Sequence, residues 1–362
     1  MKQKPDLQIL SDLTFEEMDA LVMALGEPRF RAGQLRQWFY RRLAASFDEM
    51  TDLPLAFRQA LAARAGLCCL KPLREVSGAD GTVKTLFALD DGKNLETALI
   101  PSRSPAKERH TLCVSTQVGC PVGCTFCATG RQGFERNLRR GEIIDQALYF
   151  ARRLKEPGKG SDAARITNLV FMGMGEPLLN YAAVWSAVET LNAPEGFGLG
   201  ARNITISTSG IVPGIKRLAG EKLEVNLAVS LHAADDALRD SLVPVNRKYP
   251  LKMLLPACRE YVEATGRRIS FEYILFAGIN DSVTQARRLA HLLARLNCHV
   301  NLIAANPTGN KTFRPPARQA ILEFENELRR LGINATLRQS RGTDIDGGCG
   351  QLRSRQRANT RQ

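Results

Sequence analysis

Thr111-Leu-Cys-Val-Ser-Thr-Gln-Val-Gly-Cys-Pro-Val-Gly-Cys-Thr-Phe-Cys127 begins as a strand and ends as a ligand loop. Thr111–Gln117, rich in β-branched residues, reads as a strand. Cys120, Cys124 and Cys127 then follow as C-x-x-x-C-x-x-C with no acid between them. Three thiolates from one short loop can hold three irons of a cubane iron–sulfur cluster. A cluster that only carries electrons normally has a fourth thiolate. An iron without a protein ligand offers a position where a small molecule can be bound and reduced, so the loop points to chemistry. Two other readings stay open. A structural zinc wants four ligands, often as two separated cysteine pairs, and no second pair appears here. Three unrelated core thiols are the second, since free cysteine is commonly buried.

Outward from this loop, strand-like runs recur at Ile166–Met172, Asn203–Ser207, Val225–Leu231, Ile269–Phe276 and Val300–Ala304. Helical stretches lie between them, near 141–154, 180–191, 213–219, 235–242, 252–265 and 282–296. Strands alternating with helices mean parallel βαβ units, hence an α/β protein. Six units are too few for the closed eight-stranded barrel, so an open, partial (β/α)6 barrel is expected. A last helix (316–331) and strand (Asn334–Gln339) precede Cys349. Pro101–Arg109 and Lys155–Ala164 read as polar loops, and no internal repeat occurs. The expected organisation is a small accessory domain over 1–100, the barrel over 101–350 and a basic tail over 351–362. In the accessory part, Thr14 and Glu17 form a capping box ahead of short helices. Thr82–Leu89 and Leu95–Ile100 then read as strands joined by a turn at Asp91-Gly92.

Composition narrows the partners. Lys plus Arg is 50 and Asp plus Glu 37, a net charge of 50 − 37 = +13. That excess suits a polyanion such as RNA, although charge alone also serves solubility. Arg29, Arg31, Arg36, Arg41 and Arg42 cluster with Phe30, Trp38, Phe39 and Tyr40, and the tail carries Arg353, Arg355, Arg357 and Arg361 with no acid. Guanidinium groups among aromatics can pair with phosphates and stack on bases. Leu35, Trp38, Phe39 and Leu43 are spaced as one inner helix face, however, which makes Trp38 and Phe39 core candidates. No run of 18 apolar residues occurs and Met1–Phe15 lacks an apolar signal core, so a cytoplasmic protein without a membrane partner is expected. Nine cysteines, an odd number, fit a reducing compartment.

Parallel α/β folds gather ligands at the C-terminal ends of their strands. Cys120–Cys127 follow the first strand, and Gly173-Met-Gly-Glu-Pro177 follows the second. Ser207-Thr-Ser-Gly210, Ser230-Leu-His232 and Asn306-Pro307 follow the third, fourth and sixth. One polar strand end would be a loop and nothing more; five at one mouth argue for a site. Gly173-x-Gly175 lacks both the dinucleotide fingerprint and a P-loop lysine, which excludes triphosphate chemistry.

With these residues in place, the chain resembles the radical S-adenosylmethionine (SAM) enzymes, and among them the RlmN-type RNA adenosine methyltransferases. The resemblance rests on Val118–Gly130, Met172–Asn180, Ile206–Pro213, Ser230–Ala233 and Gly342–Gln351, and covers nearly the whole chain. Its departures are Pro121 in the cluster loop, Gly347-Gly348 before Cys349, and the stretch Pro307–Pro316. It implies a [4Fe–4S] cluster on Cys120, Cys124 and Cys127, with SAM held by Gly175, Glu176, Ser207, Ser230, Leu231, His232 and Asn306. It also implies that one SAM methylates Cys349, while a second yields the radical that takes hydrogen from that S-methyl group. The methylene adds to carbon 2 of adenine, Glu96 removes the ring proton, and Cys113 releases the product as a disulfide with Cys349. The implied substrates are 23S rRNA and tRNA (position 37), with a flavodoxin- or ferredoxin-type electron donor. Two alternatives remain: Cfr-like methylation of carbon 8 of the rRNA adenosine, and a non-catalytic RNA-binding protein with a structural metal.

Overall fold

The computed structural model describes residues 7–104, 107–156, 158, 164–306, 312–338, 342 and 345. Cys349, its flanking glycines and the basic tail, all singled out in the sequence, lie outside the described residues.

The N-terminal part comprises β1 (Gln8–Ile9), α1 (Phe15–Ala24), α2 (Phe30–Arg36), α3 (Leu55–Arg64) and β2 (Ala65–Gly66). The capping box forms: the Thr14 amide donates to Glu17 at 2.7 Å, and the Glu17 amide to Thr14 Oγ1 at 3.2 Å. Beyond α2 the chain winds as a π-helix over Gln37–Arg42 and stops at Leu43, whose φ is +64°. The extra residue per turn brings both Phe39 and Tyr40 inward, while Trp38 stays half-buried under the Arg42 guanidinium, 4.2 Å from its ring. Much of the arginine cluster serves internal ties. Arg29 and Arg36 share Asp19, and Arg41 donates to the carbonyls of Pro194 and Phe197.

Among the described residues the main sheet has ten strands. It opens with an antiparallel run of β3 (Lys71–Ser77), β4 (Val83–Ala88), β5 (Asn94–Ser104) and β6 (Lys107–Cys113). The expected polar loop at Pro101–Arg109 is not found. Its ends pair as a hairpin, Pro101 opposite His110 and Ser102 opposite Arg109, because cross-strand pairing outweighs weak local strand propensity. The expected strand Thr111–Gln117 splits. After β6 the chain leaves the sheet and forms a separate ribbon from β7 (Gln117–Gly119) and, after α4 (Ala128–Arg131), β8 (Phe134–Asn137).

The remaining elements alternate as the sequence indicates. They are α5 (Arg140–Lys155), β9 (Asn168–Phe171), α6 (Tyr181–Asn192), β10 (Ile204–Thr208), α7 (Val212–Ala219), β11 (Asn226–Ser230), α8 (Asp236–Leu242), α9 (Leu251–Thr265), β12 (Ile269–Leu275), α10 (Val283–Leu293), β13 (Cys298–Ala304), α11 (Arg318–Arg330) and β14 (Ala335–Arg338). From β6 through β9 to β14 neighbouring strands are parallel, and among the described residues the sheet does not close. This is the open, partial barrel that the sequence leads one to expect.

Strand periodicity sorts the side chains into two faces. Ile204, Ile206, Leu227, Val229, Phe271, Tyr273, Val300 and Leu302 join the apolar core beneath the helices. Alternate positions, including Ser207, Ser230, Glu272 and Asn301, line the other, polar face. A barrel with a polar interior can host a polar ligand at its mouth. No helix among the described residues is long and apolar enough to cross a membrane.

Candidate active site

The cysteine loop is held from both ends. Gly119, at φ +80°, packs so tightly on the following ribbon strand that a Cβ would overlap the Gly133 carbonyl, which itself accepts from the Cys120 amide at 3.0 Å. Midway, the Thr125 amide donates to the Leu242 carbonyl and its hydroxyl to the Ser241 carbonyl, both at 3.1 Å, clipping the loop to the end of α8. Val122 sits in a small apolar cluster with Leu242, Val243, Phe276 and Phe313. Phe126 meets the His232 ring edge-on at 5.0 Å. The three thiols are half-buried. Burial pushes Cys120 up to about 12 and Cys124 well above the ordinary thiol range, and the neighbouring charges of Glu176 and Cys127 act in the same direction.

The Gly173–Pro177 segment docks on the chain leading into that loop. The Met174 amide donates to Ser115 Oγ at 2.9 Å, and its carbonyl accepts from the Thr116 amide at 2.8 Å. Gly175, at φ +103°, presses against Gln117 at a distance no Cβ would permit, and Gln117 Oε1 accepts from the Glu176 amide at 2.8 Å. The Glu176 carboxylate is buried and accepts from the Ser209 amide and hydroxyl, both at 2.7 Å, and from the Leu178 amide at 3.1 Å. Burial raises its pKa against the pull of these hydrogen bonds. These partners are all neutral, so the buried charge lacks a cation among them.

Other strand ends complete the mouth. Ser207 is buried on β10, Ser230 is half-buried at the end of β11, Leu231 is buried and Asn306 is half-buried just beyond β13. His232 takes φ +60°, and its buried Nδ1 accepts from the Ile274 amide at 3.1 Å. Burial, followed by the charge of Arg239, lowers its pKa to about 3. The ring is therefore neutral with its proton on Nε2, a fixed donor. Asn280 holds this turn, donating to the carbonyls of His232 and Ile274. Arg239, fully buried, donates to the carbonyls of Ser209, Ser230 and Leu231 and to Asn246 Oδ1. Sequence reading gave no individual role to Arg239, Gln117 or Asn280, and took Ser207 rather than Ser209 from the Ser207–Gly210 run; all four act through contacts between distant segments.

Cys113 and Glu96 meet on the interior face. Thr97 donates to Gln146 of α5 at 2.7 Å and so points outward, which turns Glu96 and Ala98 inward. Cys113 is registered opposite Ala98 on the neighbouring strand. Glu96 is buried and ion-paired with Lys84 at 2.9 Å.

Two family models match the chain: the N-terminal domain of ribosomal RNA large subunit methyltransferases over residues 9–67, and the radical SAM superfamily over 114–290. A probable dual-specificity RNA methyltransferase RlmN from Syntrophomonas wolfei is 46% identical over 345 residues, 95% of this chain and 97% of its own length. Its counterpart from Moorella thermoacetica is 48% identical over 347 residues, covering 95% and 96%. The crystal structure of a radical SAM methyltransferase from Sphaerobacter thermophilus superposes with a TM-score of 0.89 at 52% identity, over 95% of this chain and 98% of that one. The chain belongs to the RlmN family of radical SAM RNA methyltransferases.

Radical SAM enzymes in general use SAM and a [4Fe–4S] cluster, and the donor set here fits both. Buried thiols with raised pKa values surrender their protons when a metal supplies positive charge. No three His, Cys, Asp or Glu among the described residues could hold a single metal ion. Tetrahedral zinc would draw its sulfurs to about 3.8 Å from one another. Cys120 and Cys127 stand close enough to Cys124 to raise its pKa, as the ligands of one cluster would. The buried carboxylate of Glu176, with no cation among its described hydrogen-bond partners, in turn suits the charged amine of SAM. Replacing it by glutamine keeps an acceptor for Ser209 but removes the charge. Glu176→Gln is expected to weaken SAM binding on the order of tenfold to a hundredfold, the worth of one charge-assisted hydrogen bond. Equilibrium binding with labelled SAM measures this, and an unchanged affinity would refute it.

Proposed function

We propose that this RlmN-family enzyme methylates carbon 2 of an adenosine in 23S rRNA, and the adenosine at position 37 of tRNA, through S-methylated Cys349. The observation that carries the reading is the placement of Cys113 and the buried Glu96 on one interior face of the barrel. That face offers a thiol and a carboxylate to one buried substrate atom. Carbon 2 of adenine is electrophilic, so simple displacement on the methyl of SAM cannot reach it, and a carrier thiol with a separate proton acceptor is required.

In this reading Cys120, Cys124 and Cys127 hold the cluster, and Gly175, Glu176, Ser207, Ser230, Leu231, His232 and Asn306 hold SAM. When bound, the pair supplies the one-electron chemistry that activates the S-methyl group. The chain's own residues do the rest. Cys349 carries the methyl carbon to the adenine, Glu96 accepts the ring proton, and Cys113 attacks the Cys349 sulfur to free the product. The accessory part within residues 1–100 and the basic tail 351–362 contact RNA, and 101–350 form the catalytic barrel, whose sheet the strands carrying Lys84 and Glu96 extend. Electrons come from a flavodoxin- or ferredoxin-type donor in the cytoplasm. The name dual-specificity carried by the relatives supports two RNA targets.

The test is mass spectrometry of RNase digests from a strain lacking the gene, with and without the restored chain. Restoration should return 2-methyladenosine to both rRNA and tRNA. Its failure, or 8-methyladenosine in its place, overturns the assignment.

A further inference from the structure

Lys84 is a buried ammonium for which the steps above provide no role. Its Nζ lies 2.9 Å from Glu96 Oε2, and both side chains are 3% exposed. Register places it with care: Ala98 on β5 faces Lys84 of β4 on one side and Cys113 of β6 on the other. Lys84, Ala98 and Cys113 thus form a row across three strands, and Glu96 stands two residues along β5 on the same face. The small side chain between the ammonium and the thiol leaves space beside both. Glu96 is also fixed through its backbone, since its carbonyl accepts from Ser115 Oγ at 2.6 Å and that same hydroxyl accepts from the Met174 amide. The carboxylate is therefore tied to the segment that carries Glu176.

We propose that Lys84 is a positioning residue for proton removal: its ammonium holds the Glu96 carboxylate aimed along the interior face where the adenine is presented. The inference rests on the reading of Glu96 as the proton acceptor. A buried ion pair does little net for stability, because desolvation offsets the attraction, and an apolar pair of similar volume would serve a purely structural purpose as well. A buried carboxylate needed as a base does require a cation, since burial alone favours the protonated acid. In the step itself, the proton on carbon 2 of the adduct passes to a Glu96 oxygen and the C–H electron pair stays with the ring. Glu96 becomes a neutral acid, and Lys84 stays an ammonium throughout. Among the described residues, other titratable or charged groups on this face include Cys113 on β6, Glu272 on β12 and Arg338 on β14, the last two 3.5 Å apart.

The test compares Lys84→Met and Lys84→Arg with Glu96→Gln in the full-length, cluster-loaded enzyme. Lys84→Met should still acquire the methyl group on Cys349 and keep its KM for RNA within about twofold. Its kcat should fall on the order of a hundredfold at neutral pH, the usual worth of a general base. Covalent enzyme–RNA adduct should accumulate as in Glu96→Gln, and Lys84→Arg should recover most of the rate. If Lys84→Met does not fold, Lys84→Gln, uncharged but still a donor, is read in the same way. A normal kcat in Lys84→Met overturns the inference, as does equal loss of Cys349 methylation and turnover, which marks a merely structural residue. Normal turnover by Glu96→Gln removes the underlying reading of Glu96 as the base and the inference with it. Adduct in Glu96→Gln but none in Lys84→Met removes the inference alone.

Discussion

Cys113→Ala should arrest the enzyme with RNA covalently attached through Cys349. Cys113 ends β6 and is half-buried on the interior face, so it can reach substrate space without being a surface thiol. Burial pushes its thiol up to about 11, against the opposing charge of Lys84. At neutral pH it is protonated, and only its small thiolate fraction can attack the Cys349 sulfur. Alanine removes that nucleophile without touching the cluster loop, Glu96 or the carrier cysteine. Steady-state methylation should fall by a thousandfold or more, as for loss of an essential nucleophile. Labelled RNA should migrate with the protein on a denaturing gel until RNase releases it. In the wild-type enzyme, wherever product release limits the rate, that rate should climb with pH as the thiol ionises below 11. A variant that turns over normally, or forms no adduct although Cys349 is methylated, would remove the release role from Cys113.

The sequence exposes some of this architecture and hides the rest for identifiable reasons. The runs Ile204–Thr208, Asn226–Ser230 and Ile269–Leu275 are visible because a buried parallel strand needs β-branched or apolar residues over its whole length. The cluster loop is visible because three ligands must be close in sequence to share one short turn. The hairpin at Pro101–Arg109 is hidden, since Pro101, Ser102 and Arg109 carry little strand propensity and pair only because β4 and β9 flank them. Ser209 is hidden for a different reason. Ser207 and Ser209 both stand near the end of β10, and only the docking of Gly173–Pro177 decides that Ser209 is the one bonded to Glu176. Spacing reveals which residues share a strand end, not which partner arrives from another strand.

Arg239 is the extreme case of such concealment, and its replacement should have the largest effect on stability. In Asp236-Ala-Leu-Arg-Asp-Ser-Leu242 it reads as an ordinary surface helix residue, yet it is completely buried. Burial lowers its pKa to about 10, far enough above neutrality for the charge to persist. The guanidinium bridges the carbonyl of Ser209 after β10 to those of Ser230 and Leu231 after β11, at 2.6, 3.1 and 3.1 Å. Its third nitrogen donates to Asn246 at 2.7 Å, which in turn donates to Asp236 and Asp240. One side chain thereby sets the spacing between the Ser209 that grips Glu176 and the turn that carries His232. Arg239→Met would strand several buried acceptors, at about 1–3 kcal/mol each where relaxation does not recover them. A net loss of about 3–5 kcal/mol, read from the denaturant midpoint, is expected. Arg239→Lys should rescue little, because a single ammonium cannot span acceptors laid out for a planar fork. Variant protein that stays folded should bind SAM at least tenfold more weakly, since Ser209 would no longer be held against Glu176. Wild-type unfolding together with wild-type SAM affinity in Arg239→Met would show that the strand ends keep their places without it.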